Sequence, residues 1–252
     1  MAIVQARMGS TRFPGKVLAE ICGMPMIEVL LRRARRTEGL DDIVVATTTS
    51  AADDGLAERL RSMDYRVWRG SEQDVLDRYW RCATEVGADI VVRLTADDPL
   101  KDPAVIAMAI DEYRRAGNVD YVSNTIEPTF PEGLDVEVVG YNALCRANSE
   151  AVRFSDREHV TPYIWRNAGR FAVRSFSMSP DLSHWRWTVD HPADLEFVRQ
   201  VLGSLGGDIH ASYLDIIDTV RRNPRLMEIN SGKRRGEGYL ASLEKERESD
   251  HE

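Results

Sequence analysis

Val4-Gln5-Ala6-Arg7-Met8-Gly9-Ser10-Thr11-Arg12-Phe13-Pro14-Gly15-Lys16 continues a short apolar start, and its composition changes abruptly after Val4. Ile3-Val4 reads as the end of a first strand. The chain then breaks into a loop carrying two glycines, two arginines, a lysine and two hydroxyls. Glycine permits tight turns and close backbone approach, and successive amides form a concavity that holds anions. Arg7 and Arg12 suit paired phosphate oxygens, and Lys16 adds a point charge. Ser10 and Thr11 add donors. The stretch is therefore a candidate triphosphate loop, although it has neither GxGxxG nor GxxxxGK[ST]. A solvated surface loop is the alternative that composition leaves open.

Outward from this loop, apolar residues at Ile27, Leu30, Leu31 and Ala34 have helical spacing. Asp42–Thr47 is a β-branched apolar run that reads as a buried parallel strand. A helix over 53–63, a strand over 65–68, a helix over 74–86 and a strand over 90–94 follow. Pro103, behind a capping Asp102, opens a helix to about Ala116, and 120–123 is a further strand. Such alternation implies a parallel sheet with helices on both faces. Ligands of such sheets sit beyond the carboxyl ends of the strands. The Gln5–Lys16 loop, Thr47–Ser50, Arg69–Ser71 and Thr95–Asp98 all fall at such ends and are expected to converge on one crevice.

From about Asn124 the rhythm changes. Strands are expected over 135–139, 171–177 and 185–189, and a helix over 157–166; this mixed section, 124–187, is read as an arm inserted in a single domain of residues 1–252. Helices are expected again over 192–205 and 213–222, and the charged tail from Glu237 as a frayed, solvated helix.

At 252 residues, with 43% hydrophobic and 29% charged side chains, the chain has the composition of a globular protein with a substantial core. A net charge of −8 argues against a general nucleic-acid surface. Cys22, Cys82 and Cys145 have no metal-binding spacing and are expected as free thiols. No apolar run reaches membrane-spanning length, and the first residues reach Arg7 before a signal-type apolar region forms. The expectation is a cytoplasmic protein with no membrane partner.

Two acidic junctions follow expected strands. In Thr95-Ala96-Asp97-Asp98-Pro99-Leu100 a carboxylate facing the crevice suits a hard divalent ion on triphosphate oxygens, or else merely forms a turn. In Trp187-Thr188-Val189-Asp190-His191-Pro192 the acid either faces the crevice or belongs to the helix start.

QARMGSTRFPGK closely resembles the signature of cytidylyltransferases that activate acidic sugars, the acylneuraminate and 3-deoxy-manno-octulosonate enzymes, with its nearest likeness in the spore coat polysaccharide biosynthesis protein F branch. RGSEQDVLDRY, RLTADDPL, PEGLDVEVV, DREHVTPYIW, TVDHPADLEF and the closing EGYLASL are similar to segments of the same branch, so the likeness spans nearly the whole chain. The resemblance implies a Rossmann-like, nucleotide-diphospho-sugar transferase fold with a dimerisation arm. It implies Mg²⁺ on Asp97 and Asp190, with Asp98 standing where this branch often has a cysteine or another residue. It implies CTP as nucleotide, with Arg7, Arg12 and Lys16 on its phosphates as pyrophosphate leaves. Ala6, Met8, Gly9, Ser10, Thr47, Arg69, Gly70, Ser71 and Thr95 are the implied nucleotide contacts, Arg69 and Ser71 on the base edge. Glu137, Arg157, Glu158 and His159 are candidates for the side of an anionic acceptor, although a lone histidine is also commonly structural. A homodimer is implied likewise. The rival readings are a metal-dependent glycosyltransferase of the GT-A type, which uses a finished nucleotide sugar, and a non-catalytic nucleotide-binding module. Only the cytidylyltransferase reading predicts pyrophosphate release.

Overall fold

The computed structural model describes residues 1–249. Seven strands form one sheet: β1 (Ala2–Gln5), β4 (Ile43–Thr48), β5 (Arg66–Gly70), β6 (Ile90–Thr95), β7 (Tyr121–Ser123), β8 (Glu137–Gly140) and β9 (Val173–Ser175). A two-stranded ribbon, β2 (Glu20–Ile21) and β3 (Met24–Pro25), stands apart. The sheet order is β5-β4-β1-β6-β8-β7-β9, and all neighbours are parallel except those of β8, which runs against β6 and β7.

The central strands are apolar on both faces because helices cover both. Ala2, Val4, Val45, Val92 and Leu94 face one core. Against it pack α1 (Met26–Ala34), α2 (Asp54–Ser62), α4 (Pro103–Ala116), α8 (Pro192–Ser204) and α9 (Tyr213–Arg222). Ile3, Val44, Ala46 and Val91 face the second core, beneath α3 (Val75–Val86), α5 (Tyr141–Glu150) and α7 (Pro162–Arg166). This is the doubly wound α/β architecture that alternation in the first half requires.

The second half differs from expectation in several places. The segment 124–187 does not lie wholly outside the sheet, since β8 and β9 hydrogen-bond into it. Helix α5 was not expected; its buried face is Ala143, Leu144 and Ala147, and alanines give a weak apolar signal. The helix expected over 157–166 is two helices, α6 (Phe154–His159) and α7, divided at Val160, whose φ is 73°. Pro162 opens α7 and has no N–H to continue α6, and a left-handed β-branched residue is a strained way to make the corner. The 185–189 stretch is extended but joins no sheet; it carries a single parallel bridge between Glu132 and Arg186. Gly133, at φ 106°, lets this turn lie against it, because a Cβ there would meet the Thr188 nitrogen at 2.7 Å.

The last helix, α10 (Glu237–Ser249), is docked rather than merely solvated. Tyr239 packs edge-on against His159 and Trp165, and buried Ser242 shares a 2.9 Å hydrogen bond with His159. The expected tail beyond it, residues 250–252, lies outside the described residues. Among the described residues no helix is long and apolar enough to cross a membrane, and Cys22, Cys82 and Cys145 are free.

Candidate active site

Parallel register brings the ends of β1, β4, β5 and β6 to one edge, with Gln5 beside Ala46 and Thr95, and Thr47 beside Arg69. The loop after β1 leaves from the middle of that edge. Buried Asp53 pins it. Its Oδ1 accepts the Met8 amide at 2.7 Å, and its Oδ2 accepts from the backbone and hydroxyl of Thr48. The Met8 carbonyl closes the loop by accepting from Ser10 N at 2.9 Å and Gly15 N at 3.0 Å. Gly15 takes the left-handed φ of 73° needed just before Lys16.

Lys16 then turns inward. Its ammonium donates to Asp97 Oδ2 at 2.9 Å, Asp190 Oδ1 at 2.8 Å and the Val189 carbonyl at 2.8 Å. Arg12 reaches the same Asp190 Oδ1 at 2.8 Å. Two residues distant in sequence meet here because the Val189 amide donates to the Asp97 carbonyl at 2.8 Å, which docks the 185–190 segment beside the turn after β6. Burial opposes ionisation of Asp190, but the charges and hydrogen bonds of Lys16 and Arg12 outweigh it and hold this carboxyl well below the usual range. Burial likewise disfavours the Lys16 ammonium, and Asp97 and Asp190 more than restore it, so its pKa is raised.

The other loop residues take separate places. Ala6 is buried and donates its amide to the Ala46 carbonyl at 3.3 Å. Gly9 lies near Glu72, and Ser10 accepts from the Phe13 amide at 3.4 Å. Arg7 stands at the opposite wall, partly exposed, 3.8 Å from Glu158. Thr47 is fully buried, and its hydroxyl has no hydrogen-bond partner among the described residues. Thr95 donates to Asp98 Oδ2 at 2.7 Å. Asp98 itself is buried and accepts from the ammonium of fully buried Lys101 at 2.9 Å, so it belongs to an internal ion pair next to the crevice.

Arg69 is fully engaged. It donates to the carbonyls of Thr48 at 2.7 Å and Ser50 at 2.8 Å and pairs with Asp54 at 2.7 Å, tying β5 to the turn after β4. The Trp68 ring lies over Gly70, and a Cβ there would approach that ring to 2.3 Å, so a larger residue would displace it. Ser71 accepts from the Asp74 amide at 3.0 Å at the entry to α3.

The acceptor-side candidates are divided. Glu137 is buried among Arg93, Tyr121 and Thr161, all of which donate to it. Arg157 grips Asp74 with two nitrogens and Asn148 with two, clamping α3 to α5. Both residues are committed to internal partners. Glu158 faces Arg7, and His159 faces α10. Burial first, and the Arg93 charge second, push the His159 imidazole down to about 4, so it is neutral at pH 7.

Asp53 and Arg78 were not singled out in the sequence. Asp53 looks like one acid among many in a helix start, and only the long-range bond to Met8 marks it. Arg78 reads as a solvated helix residue, yet it is buried, donates to the Ser71 carbonyl at 2.6 Å and leaves its Nε without a partner among the described residues.

A loop of glycines and cations at the carboxyl edge of a doubly wound sheet, with two carboxylates gathered on its lysine, is an arrangement suited to nucleotidyl transfer. Residues 1–204 match the cytidylyltransferase family model, and the chain belongs to that family. It is 36% identical to an uncharacterized protein of Methanocaldococcus jannaschii over 93% of this chain and 95% of that protein. It is 32% identical to the spore coat polysaccharide biosynthesis protein SpsF of Bacillus subtilis, over 88% of this chain and 94% of that protein. Among solved structures, a cytidylyltransferase from Leptospira borgpetersenii superposes with a TM-score of 0.87 at 30% identity, over 92% of this chain and 98% of that one.

Proposed function

We propose that this cytidylyltransferase is Mg²⁺-dependent and transfers CMP from CTP to an anionic sugar, releasing pyrophosphate, in the biosynthesis of a surface polysaccharide or glycan. The observation that carries the reading is the convergence of Arg12 and Lys16 on Asp97 and Asp190. The polysaccharide setting rests on the similarity to SpsF of Bacillus subtilis. The three free cysteines suit a cytoplasmic site of action.

The donor set fits a hard divalent ion. Asp97 and Asp190 each present an oxygen to one point, and no group of three or more His, Cys, Asp or Glu side chains suited to a metal occurs among the described residues. Mg²⁺ is commonly held in this way, by one or two carboxylates plus substrate phosphates and water. When bound, it neutralises phosphate oxygens and aligns the reacting groups.

The chain's own part is binding and charge. An oxygen of the acceptor bonds to the α-phosphorus of CTP while the bond to the pyrophosphate oxygen breaks in line. Arg12 and Lys16, which hold Asp190 and Asp97 in the free protein, turn to the phosphates as nucleotide enters. There they stabilise the negative charge that accumulates on the leaving group. Arg7, held only loosely by Glu158, closes on the triphosphate or the acceptor carboxylate from the opposite wall. No covalent enzyme intermediate is needed, because positioning and charge suffice.

The protein acts as a homodimer through residues 124–187, where Ile126, Val152 and Phe154 are exposed apolar side chains, Val152 at 90%. Light scattering tests this: Val152→Asp yields monomers, whereas an unchanged mass excludes that surface. The reaction is tested by mass spectrometry of products from CTP, Mg²⁺ and a panel of acidic sugars. A CMP–sugar adduct supports the assignment, and intact CTP with every acceptor counts against it.

A further inference from the structure

Asp190 is held by three cations, and one of them does not belong to the phosphate loop. Its Oδ1 takes Lys16 and Arg12, whereas its Oδ2 takes Arg186 Nη2 at 3.2 Å. Arg186 is buried and fixed on every side. Its Nε donates to Asp194 Oδ1 at 3.0 Å, its Nη1 to Glu132 Oε2 at 2.7 Å, and its Nη2 also to Asp194 Oδ2 at 3.3 Å. Its carbonyl accepts from Asn230 at 3.0 Å, and Asn230 also donates to Asp194 at 3.2 Å. Asp194 in turn accepts the amides of Asp190 at 3.0 Å and His191 at 2.9 Å. Backbone and side chain of Asp190 are thus oriented by one rigid unit.

We propose that Arg186 is a positioning residue that sets the orientation of the Asp190 carboxylate for the nucleotide-bound divalent ion. The inference rests on the metal reading given above. Arg12 and Lys16 leave Asp190 for phosphate oxygens when CTP binds. Arg186 has no such freedom, because Asp194 and Glu132 already occupy its other nitrogens. It therefore keeps Oδ2 engaged, leaves Oδ1 directed at the crevice, and compensates the carboxylate while the loop cations are elsewhere. Pairing with Asp194 and Glu132 alone would satisfy a buried guanidinium, so the bond to Asp190 is the part that serves the site. Groups that orient a metal ligand in this way typically change metal affinity by about 10- to 100-fold when removed.

The test is calorimetric CTP binding with EDTA and with Mn²⁺ for wild type, Asp190→Asn, Arg186→Gln and Arg186→Lys, each checked for folding by circular dichroism. Wild type binds CTP more tightly with Mn²⁺, and Asp190→Asn loses that gain. Folded Arg186 variants lose about tenfold or more of the Mn²⁺ gain, while their CTP affinity in EDTA stays near that of wild type. Arg186→Lys keeps the buried charge but not the fork, so it carries the test if Arg186→Gln does not fold. A wild-type Mn²⁺ gain in a folded Arg186 variant overturns the inference and leaves the metal reading standing. So does failure of Arg186→Lys to fold, which would assign the residue to the fold alone. No Mn²⁺ gain in wild type overturns the metal reading and the inference with it.

Discussion

Replacing Lys16 with methionine removes the ammonium that separates Asp97 from Asp190 while keeping most of its apolar bulk. Three hydrogen bonds disappear, two of them to carboxylates. Asp190 keeps Arg12 and Arg186, so the uncompensated groups are Asp97, whose side chain is 29% exposed and gains water, and the Val189 carbonyl. Hydrogen bonds to charged groups are worth about 1.5–3 kcal/mol each, and hydration of Asp97 returns part of that. The expected loss of stability in EDTA is therefore about 2–3 kcal/mol, or roughly 4–12 °C in melting temperature for a chain of this size. A divalent ion on the same two carboxylates restores it; saturation a hundredfold above Kd recovers about 2.7 kcal/mol. Thermal melts in EDTA and in excess Mg²⁺ measure both quantities. A variant as stable as wild type in EDTA, or one that Mg²⁺ fails to rescue, would refute the placement of a cation between these carboxylates.

Asp97 and Asp98 are adjacent but should separate cleanly. Asp98→Asn takes the carboxylate from the fully buried Lys101 ammonium, leaving it the Asp135 carbonyl, and costs about 3 kcal/mol by urea unfolding, whereas Asp97→Asn costs little stability and abolishes turnover; equal stability losses would contradict this. Asp53→Asn keeps an acceptor for one side of its bridge only, and should cost about 1–3 kcal/mol and raise the KM for CTP as the loop loosens. Unchanged values of both would show that Asp53 does not hold the loop. Arg12→Ala should lower kcat/KM about a hundredfold, near 3 kcal/mol, with an unchanged melting temperature excluding an indirect cause. His159 has a folded pKa depressed to about 4 from an ordinary 6.5, so the unfolded chain binds the proton more readily. Its contribution to stability is intact above pH 6.5 and is lost as pH falls towards 4, by at most about 3 kcal/mol. His159→Gln should flatten that slope, and an unaltered profile would exclude His159 as its source.

The first half of the fold was legible because its strands are buried on both faces and its helices carry branched apolar residues at regular spacing. Ile43–Thr48 and Val75–Val86 are clear examples. Helix α5 was not legible, because a face made of alanines packs closely yet barely raises local hydrophobicity. The corner at Val160 was hidden for a different reason. It depends on the contacts that hold a strained backbone in place, such as Thr161 on Glu137, which are remote in sequence. The loop Gln5–Lys16 could be recognised by its charges and glycines, and Asp97 and Asp190 by their places after extended segments. Asp53 and Arg186 could not, since their roles come from the Met8 amide and from Asp190 Oδ2, groups brought to them only by the fold.

We propose that nucleotidyl transfer from CTP takes place at the Lys16–Asp97–Asp190 centre. Its most direct measurement is pyrophosphate release from each of the four nucleoside triphosphates with Mg²⁺ and a panel of acidic sugars, sugar phosphates and phosphonates, with Asp97→Ala alongside. Release with CTP and an anionic acceptor, lost in Asp97→Ala, is the predicted result. Release that persists in Asp97→Ala, or a protein that neither binds CTP nor releases pyrophosphate with any acceptor, would contradict it.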